Sequence, residues 1–334
     1  MKWFSEFLTK SQKKVISDQV LSNVDGKIIE IGKGEILLIA ILRNESLRLP
    51  YFLEYYKSLG VDKFFFVDNN SSDMSREIIL KEPKAHLFFT AESYTNHWYW
   101  MEYLLEMYGK GHWCLVVDID ELFSYPNSNL VTLPSLIEYF EQNNFTSFSS
   151  ILLDMYSSEE VNDCKISCKS NPMESLQFFD IDYYKVPFTF IDRKNNLPIY
   201  IHAYTGGMRE RVFGKMNPLD ILTKIPLFKF EKDIYLVQGM HAISNTKPAD
   251  IEGVVFHTKF LHDFIEEVLE ESERGEHWNN AIRYKHYKDT ISVLPKLNLH
   301  CEHSIKYENN TQLVELGIIK TSPEFEKYCN RFKS

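Results

Sequence analysis

The chain has 334 residues, 44% of them hydrophobic and 14% aromatic, enough to fill the core of one large domain or two small ones. Its 47 acidic residues against 37 basic ones give a formal charge of −10, the wrong sign for a phosphate-backbone binder, which excludes nucleic acid as the expected partner. The five cysteines (Cys114, Cys164, Cys168, Cys301, Cys329) contain one close pair and no histidine set to complete a zinc site, and they fit a reduced, cytoplasmic compartment.

No apolar stretch approaches the roughly 18 residues of a membrane span, and the N-terminus lacks the apolar core of a signal peptide. Residues 1–30 are expected as an N-terminal helical segment. Within it, Met1 to Leu21 sets Trp3, Phe4, Phe7 and Leu8 beside Lys2, Lys10, Lys13 and Lys14. Two readings stay open: a helix packed on the domain, or one resting on the inner face of the cell membrane.

Ile36 to Leu42 is a continuous apolar run of the kind that forms a fully buried parallel strand, and it ends in the polar triplet Arg43-Asn44-Glu45. Leu47 to Leu59 carries apolar residues at helical spacing and stops at Gly60. A second strand, Lys63 to Val67, runs into Asp68-Asn69-Asn70-Ser71-Ser72-Asp73, where Ser72 or Asp73 is placed to cap a helix reaching about Leu80. His86 to Thr90 reads as a third strand and Trp98 to Tyr108 as an aromatic-rich helix. The repeated strand-loop-helix pattern predicts an α/β fold with a mainly parallel sheet flanked by helices, its strand exits lined by Glu45, Asp68 and the acids that follow.

Those acids lie in His112 to Tyr125, HWCLVVDIDELFSY, where the apolar run Trp113 to Val117 ends in Asp118-Ile119-Asp120-Glu121. Carboxylates at i and i+2 of a strand share a face, so Asp118 and Asp120 are expected to converge on one Mg²⁺ or Mn²⁺ completed by substrate phosphates. Burying a strand up to an acidic pair is costly unless a cation or donors await it.

Leu133 to Phe140 reads as a helix and Phe145 to Leu153 as a strand ending at Asp154; residues 157–198 read as irregular loops that meet a second substrate. In Gly206-Gly207-Met208-Arg209-Glu210-Arg211, an extended segment would put Arg209 and Arg211 on one side, suited to a phosphate or carboxylate of the acceptor or donor; the alternative is pairing with nearby acids. Ile225 to Phe230, Ile234 to Val237 and Gly253 to Phe256 are expected strands, the last running into His257-Thr258-Lys259. Helices are expected over Leu261 to Leu269, His277 to Lys288 and Glu324 to Phe332. The expected division is one domain over 31–290, with a nucleotide-binding half at 31–125 and a second-substrate half at 145–260, and an extension over 291–334.

With these pieces assembled, the chain resembles a bacterial branch of the glycosyltransferase family 2-like proteins, which have the GT-A fold. The resemblance is carried by RNE, VDNNSSD, GHWCLVVDIDELFSYP, GGMRERVFG with KIPLFKF, and FHTKFLHDF with RGEHW, in that order over residues 36–288. It implies a nucleotide-sugar donor, a UDP-sugar, and transfer with inversion to a hydroxyl of a glycan or lipid-linked glycan in surface polysaccharide or lipopolysaccharide synthesis. By the same resemblance Arg43 and Glu45 lie near the uridine, Asp68 contacts the uracil, and Asp118 and Asp120 hold Mn²⁺ or Mg²⁺. His257 stands where a late metal ligand is found, and Lys259 over the diphosphate. The Glu-Asp pair that commonly supplies the base in that family is absent from this chain. Asp154 is the candidate general base, with Asp180, Asp182 and Glu210 in reserve.

Two other readings compete. Haloacid-dehalogenase-like phosphatases also use a strand-end DxD, but they resemble this chain only over Val116 to Asp120, and Leu122 stands where they have Thr or Val. A non-catalytic nucleotide-sugar or carbohydrate-binding module would use aromatic residues such as Tyr94, Trp98, Trp100 and Tyr156 to stack on sugars.

Overall fold

The computed structural model describes residues 21–191, 198–237, 239–294 and 296–333. The amphipathic helix expected over Met1 to Leu21 thus lies outside the described residues but for its last position. Residues 21–30 hold a two-residue strand in place of the expected helix.

The strands are β1 (Ser22–Asn23), β2 (Leu37–Leu42), β3 (Lys63–Asp68), β4 (Ala85–Phe89), β5 (Trp113–Val116), β6 (Glu121–Ser124) and β7 (Ser147–Asp154). They continue as β8 (Phe178–Phe179), β9 (Tyr183–Ile191), β10 (Pro198–Gly206), β11 (Thr223–Lys229), β12 (Pro248–His257) and β13 (Ile305–Lys306). Nine of them form one mixed sheet flanked by helices, in the order β1-β4-β3-β2-β5-β11-β7-β12-β6. The part built from β4, β3, β2 and β5 is parallel, as the repeated strand-loop-helix pattern requires. Beyond β5 the pairings alternate: β11 runs antiparallel to both neighbours, β12 parallel to β7, and β6 antiparallel to β12 at the far edge.

The apolar runs have a direct physical cause. In β2, Leu38, Ala40 and Leu42 enter one core layer while Leu37, Ile39 and Ile41 enter the other, and Phe64 and Phe66 of β3 are likewise opposed to Phe65 and Val67. A strand covered on both faces has no polar position to offer, so its sequence cannot alternate. The helix Leu49–Leu59 lies on the first layer through Leu49, Phe52, Leu53 and Tyr56, the expected positions, and ends on left-handed Gly60.

Three sequence expectations change. Ile234 to Val237 forms no strand and makes a single bridge, Leu236 to Ile243. The stretch expected to be irregular to Pro198 contains β9, which pairs with β10 over Tyr183↔Gly206 to Ile191↔Pro198 as a hairpin outside the main sheet. Its alternation, with Phe188 and Phe190 turned to a small core of their own, is masked in the sequence by Pro187, which a two-stranded ribbon tolerates and a central strand does not. The extension, finally, is built into the main core: Leu313, Ile318, Phe325 and Tyr328 join its larger cluster, and Asn310 donates to Ser124 Oγ (2.7 Å) and Tyr125 O (2.8 Å).

Candidate active site

The acidic pair sits at the exit of β5, though not as a strand end. β5 stops at Val116, and Asp118 to Glu121 form a turn closed by Glu121 N–H donating to Asp118 O (3.1 Å) before β6 leaves for the other edge. Asp118 and Asp120 therefore do not share a strand face: the Asp118 side chain is 43% exposed and the Asp120 side chain 13%. The turn is tied to the end of β12, because Thr258 donates both its N–H (2.7 Å) and its hydroxyl (2.9 Å) to Asp120 O.

β12 lies between β7 and β6, in register His257↔Asp154 and His257↔Glu121, and so the three strand ends meet. His257 Nε2 is 3.2 Å from Asp120 Oδ2, and His257 Nδ1 is 2.7 Å from Asp154 Oδ1. Arg209 closes the row, its Nε and Nη2 each 2.7 Å from an Asp154 oxygen. Burial works to discharge His257, but the Asp120 and Asp154 carboxylates outweigh it and raise its pKa. Burial alone would raise Asp154; Arg209 and His257 bring it down to about 2. Asp120 is held well below the usual carboxylate range because His257 and Lys259 overcome the burial that opposes ionisation.

This geometry overturns two expectations. Asp154 is no general base: its side chain is wholly buried, both oxygens are engaged, and a carboxyl held near 2 takes up protons poorly at neutral pH. Arg209 and Arg211 are not an anion fork, because Gly207–Phe213 is a helix, where i and i+2 diverge. Arg209 goes inward to Asp154, and Arg211 pairs with Asp180 (2.7 and 3.0 Å) and with Leu299 O (2.7 Å). Of the reserve acids, Asp180 is thus engaged, also by Tyr156 OH, and Glu210 accepts from Tyr184 OH (2.8 Å).

On the first half of the sheet, Arg43 donates to the carbonyls of Asn69 and Asn70 (3.3 Å each) and pairs with Glu270 (3.3 Å). Glu45 lies 3.5 Å from Arg48 and is pushed up to about 8 by burial, with Asp120 and Glu267 adding to the effect after Arg48 has opposed it. Asp68 is fully buried: Arg76 takes one oxygen and Ser71 N–H the other (3.0 Å), so it shapes the loop after β3 and presents no free oxygen to a uracil. Lys259 Nζ bonds to Glu267 and to Tyr284 OH (3.1 Å) and stands 4.0 Å from Asp120 Oδ2.

Lys224 went unnoticed in the sequence. On β11, with its side chain 6% exposed, it places Nζ 2.7 Å from Glu121 and 3.6 Å from Asp118. Burial opposes its charge, yet Glu121 and Asp118 raise its pKa, while Asp118 is raised by desolvation and then by Glu121. The available signal was a lysine two places into the strand that KIPLFKF belongs to. Tyr94, His277 and Tyr284 form a wall nearby, with ring centroids 4.7 Å and 4.6 Å apart. Trp100 and Tyr156, considered as sugar platforms, are fully buried. A cavity of about 620 Å³ lined by Tyr183, Tyr204, Lys185 and Glu252 holds none of the expected site residues.

Among the described residues, no group of three or more His, Cys, Asp or Glu side chains is arranged to hold a metal ion. Two donors nevertheless suit one. Ligands at about 2.1 Å and right angles stand roughly 3 Å apart, close to the 3.2 Å between Asp120 Oδ2 and His257 Nε2. The carboxylate behind Nδ1 is the usual support of a metal-ligating histidine. The remaining positions would fall to Asp118, water and substrate oxygens.

No protein-family profile and no curated protein sequence matches the chain. Among solved structures it is similar to a UTP-bound UGPase from Acinetobacter baumannii, with a TM-score of 0.30 and 9% sequence identity over 78% of this chain and 99% of that one.

Proposed function

We propose that the protein is a metal-dependent glycosyltransferase of GT-A architecture. It moves a sugar, with inversion, from a nucleotide-sugar donor, a UDP-sugar, to a hydroxyl of a glycan or lipid-linked glycan, in surface polysaccharide or lipopolysaccharide synthesis. The observation that carries this reading is the row Arg209–Asp154–His257–Asp120, which holds an imidazole nitrogen and a carboxylate oxygen 3.2 Å apart at the meeting point of three strand ends. A buried ionic row costs several kcal/mol of desolvation per charge, and a site for a cation and an anionic leaving group gives it a use.

In this reading Asp120 and His257 hold Mn²⁺ or Mg²⁺ with Asp118, and the ion supplies electrostatic stabilisation of the departing diphosphate. Lys259, within 4.0 Å of Asp120, meets the same phosphates. Arg43 and Glu45 flank the nucleotide, with Asp68 fixing the loop beside them. Asp154 is a positioning residue: it turns Nε2 of His257 toward the donor and takes no proton.

Thermal unfolding in the presence of UDP and a panel of UDP-sugars, with and without Mn²⁺, tests the reading. A ligand at 100 times its dissociation constant that binds only the folded chain adds about 2.7 kcal/mol. Stabilisation by a uridine nucleotide that needs the metal, and is lost in Asp120→Ala, is the expected result; no stabilisation by any nucleotide at any metal concentration rejects it.

A further inference from the structure

We propose that the helix Phe264–Arg274 is a built-in competitor for the nucleotide: Glu267 and Glu270 hold Lys259 and Arg43, and release them when a nucleoside diphosphate binds. The proposal rests on the glycosyltransferase reading of the site and adds a regulation to it.

The helix reads FIEEVLEESER, with carboxylates at 266, 267, 270, 271 and 273. Its apolar edge, Phe264 and Val268, enters a core cluster with Phe260, Tyr284 and Tyr287. Its polar contacts fall on the residues that surround the first strand exits. At its start, Asp263 forks with Arg48 (2.8 Å twice). In the middle, Glu267 takes Lys259 and Glu270 takes Arg43 (3.3 Å). At its end Arg274 donates to Asn69 Oδ1 (2.7 Å), and Glu276 just beyond accepts from Tyr94 N–H (3.0 Å). The two cations offered to a nucleotide therefore already carry carboxylates.

A nucleoside diphosphate offers both groups alternative partners: its phosphates bring Lys259 more oxygens and more charge than one carboxylate, and its base and ribose oxygens accept from Arg43. The exchange is feasible because neither carboxylate is sealed in: the Glu267 side chain is 34% exposed and that of Glu270 47%. Binding must first break these pairs, and that lowers the apparent affinity by the factor their formation is worth. For partly exposed pairs the factor is modest, roughly threefold each.

The test is calorimetric titration of UDP in the presence of Mn²⁺ into the full chain and into Glu267→Gln, Glu270→Gln, the double variant and Glu273→Gln. Glu273 is on the same helix, 78% exposed and 3.9 Å from Lys288, and reports the effect of net charge alone. Each single variant at 267 or 270 should bind UDP about threefold more tightly, the double variant close to tenfold, and Glu273→Gln as the parent does. Unchanged or weaker binding in the 267 and 270 variants, or equal tightening in Glu273→Gln, overturns the proposal and leaves the glycosyltransferase reading standing. Absence of UDP binding in every protein overturns both.

Discussion

His257 Nδ1 lies 2.7 Å from a fully buried oxygen of Asp154, and that contact fixes which way the imidazole faces. The histidine is thereby committed, through its other nitrogen, to the Asp120 side. Such an outer partner is commonly worth 10- to 100-fold in metal affinity. The expected result for Asp154→Leu is a Mn²⁺ affinity lower by about that factor, together with a stability loss of about 3–5 kcal/mol because Arg209 is left buried and unpaired. The double variant Asp154→Leu/Arg209→Met should regain most of the stability and none of the affinity. Chemical denaturation and Mn²⁺ titration on the three proteins separate the two effects. Recovery of both would make the carboxylate a packing element only.

If His257 holds the ion as proposed, its raised pKa gives metal binding a pH dependence of definite sign. An ion at Nε2 displaces a proton, so below the folded pKa, which lies above the ordinary value, the affinity for Mn²⁺ should rise by at least about tenfold per pH unit, with the proton of Asp118 adding to the slope, and then level off. The metal-free chain should show the opposite trend. A group whose folded pKa is raised contributes stability that is complete below its unfolded pKa of about 6.5 and is lost as pH climbs through the folded value. Asp120 and Asp154, both lowered, stay ionised throughout and add no slope in this window, whereas Asp118 and Glu45, pushed up to about 7 and about 8, ionise inside it and steepen the same fall in stability. Melting temperatures from pH 5.5 to 8.5, with and without Mn²⁺, should therefore diverge as pH rises. Parallel curves would remove His257 from the metal site.

The parallel half of the fold was legible because β2 and β3 are buried on both faces and say so in their composition, and because Gly60 marks a helix end. The acidic pair was legible as a location but not as a geometry: a strand exit and a turn closed by Glu121 carry the same letters, and only the pairing of β6 with β12 distinguishes them. Asp154 and Arg209, 55 positions apart, find each other through β7 and a helix that the sequence suggested as an extended segment. Partners at that distance leave no local periodicity to read. Lys224 escaped for a related reason, since its counter-charges at 118 and 121 come from a different part of the chain.

Lys224 acts as a resident cation beside Asp118 and Glu121. Replacing it with Met leaves the buried Glu121 without its 2.7 Å partner and should destabilise the metal-free chain by about 3–5 kcal/mol. A divalent ion arriving next to Asp118 then relieves more repulsion than it does in the parent. Lys224→Met should accordingly melt earlier than the parent without metal and gain more from saturating Mn²⁺ and UDP. An equal gain in both proteins would show that the lysine does not sense the acidic pair's occupancy.

Gly207 offers a way to move Arg209 without touching any charge. It opens the helix that carries Arg209 with φ of +69°, and a Cβ there would come within 2.3 Å of the Tyr183 ring. A non-glycine residue at such a φ is strained in its own right, and the ring cannot retreat far, since the Tyr183 hydroxyl at its far end is itself buried. Gly207→Ala should thus shift the helix, open the Arg209–Asp154 fork, and weaken Mn²⁺ binding through His257. Tyr183→Ala in the same chain clears the ring and leaves only the backbone strain. Restoration of most of the metal affinity in Gly207→Ala/Tyr183→Ala, with part of the stability still missing, is the outcome that follows. If Gly207→Ala alone binds Mn²⁺ as the parent does, the position of this helix does not govern the metal site.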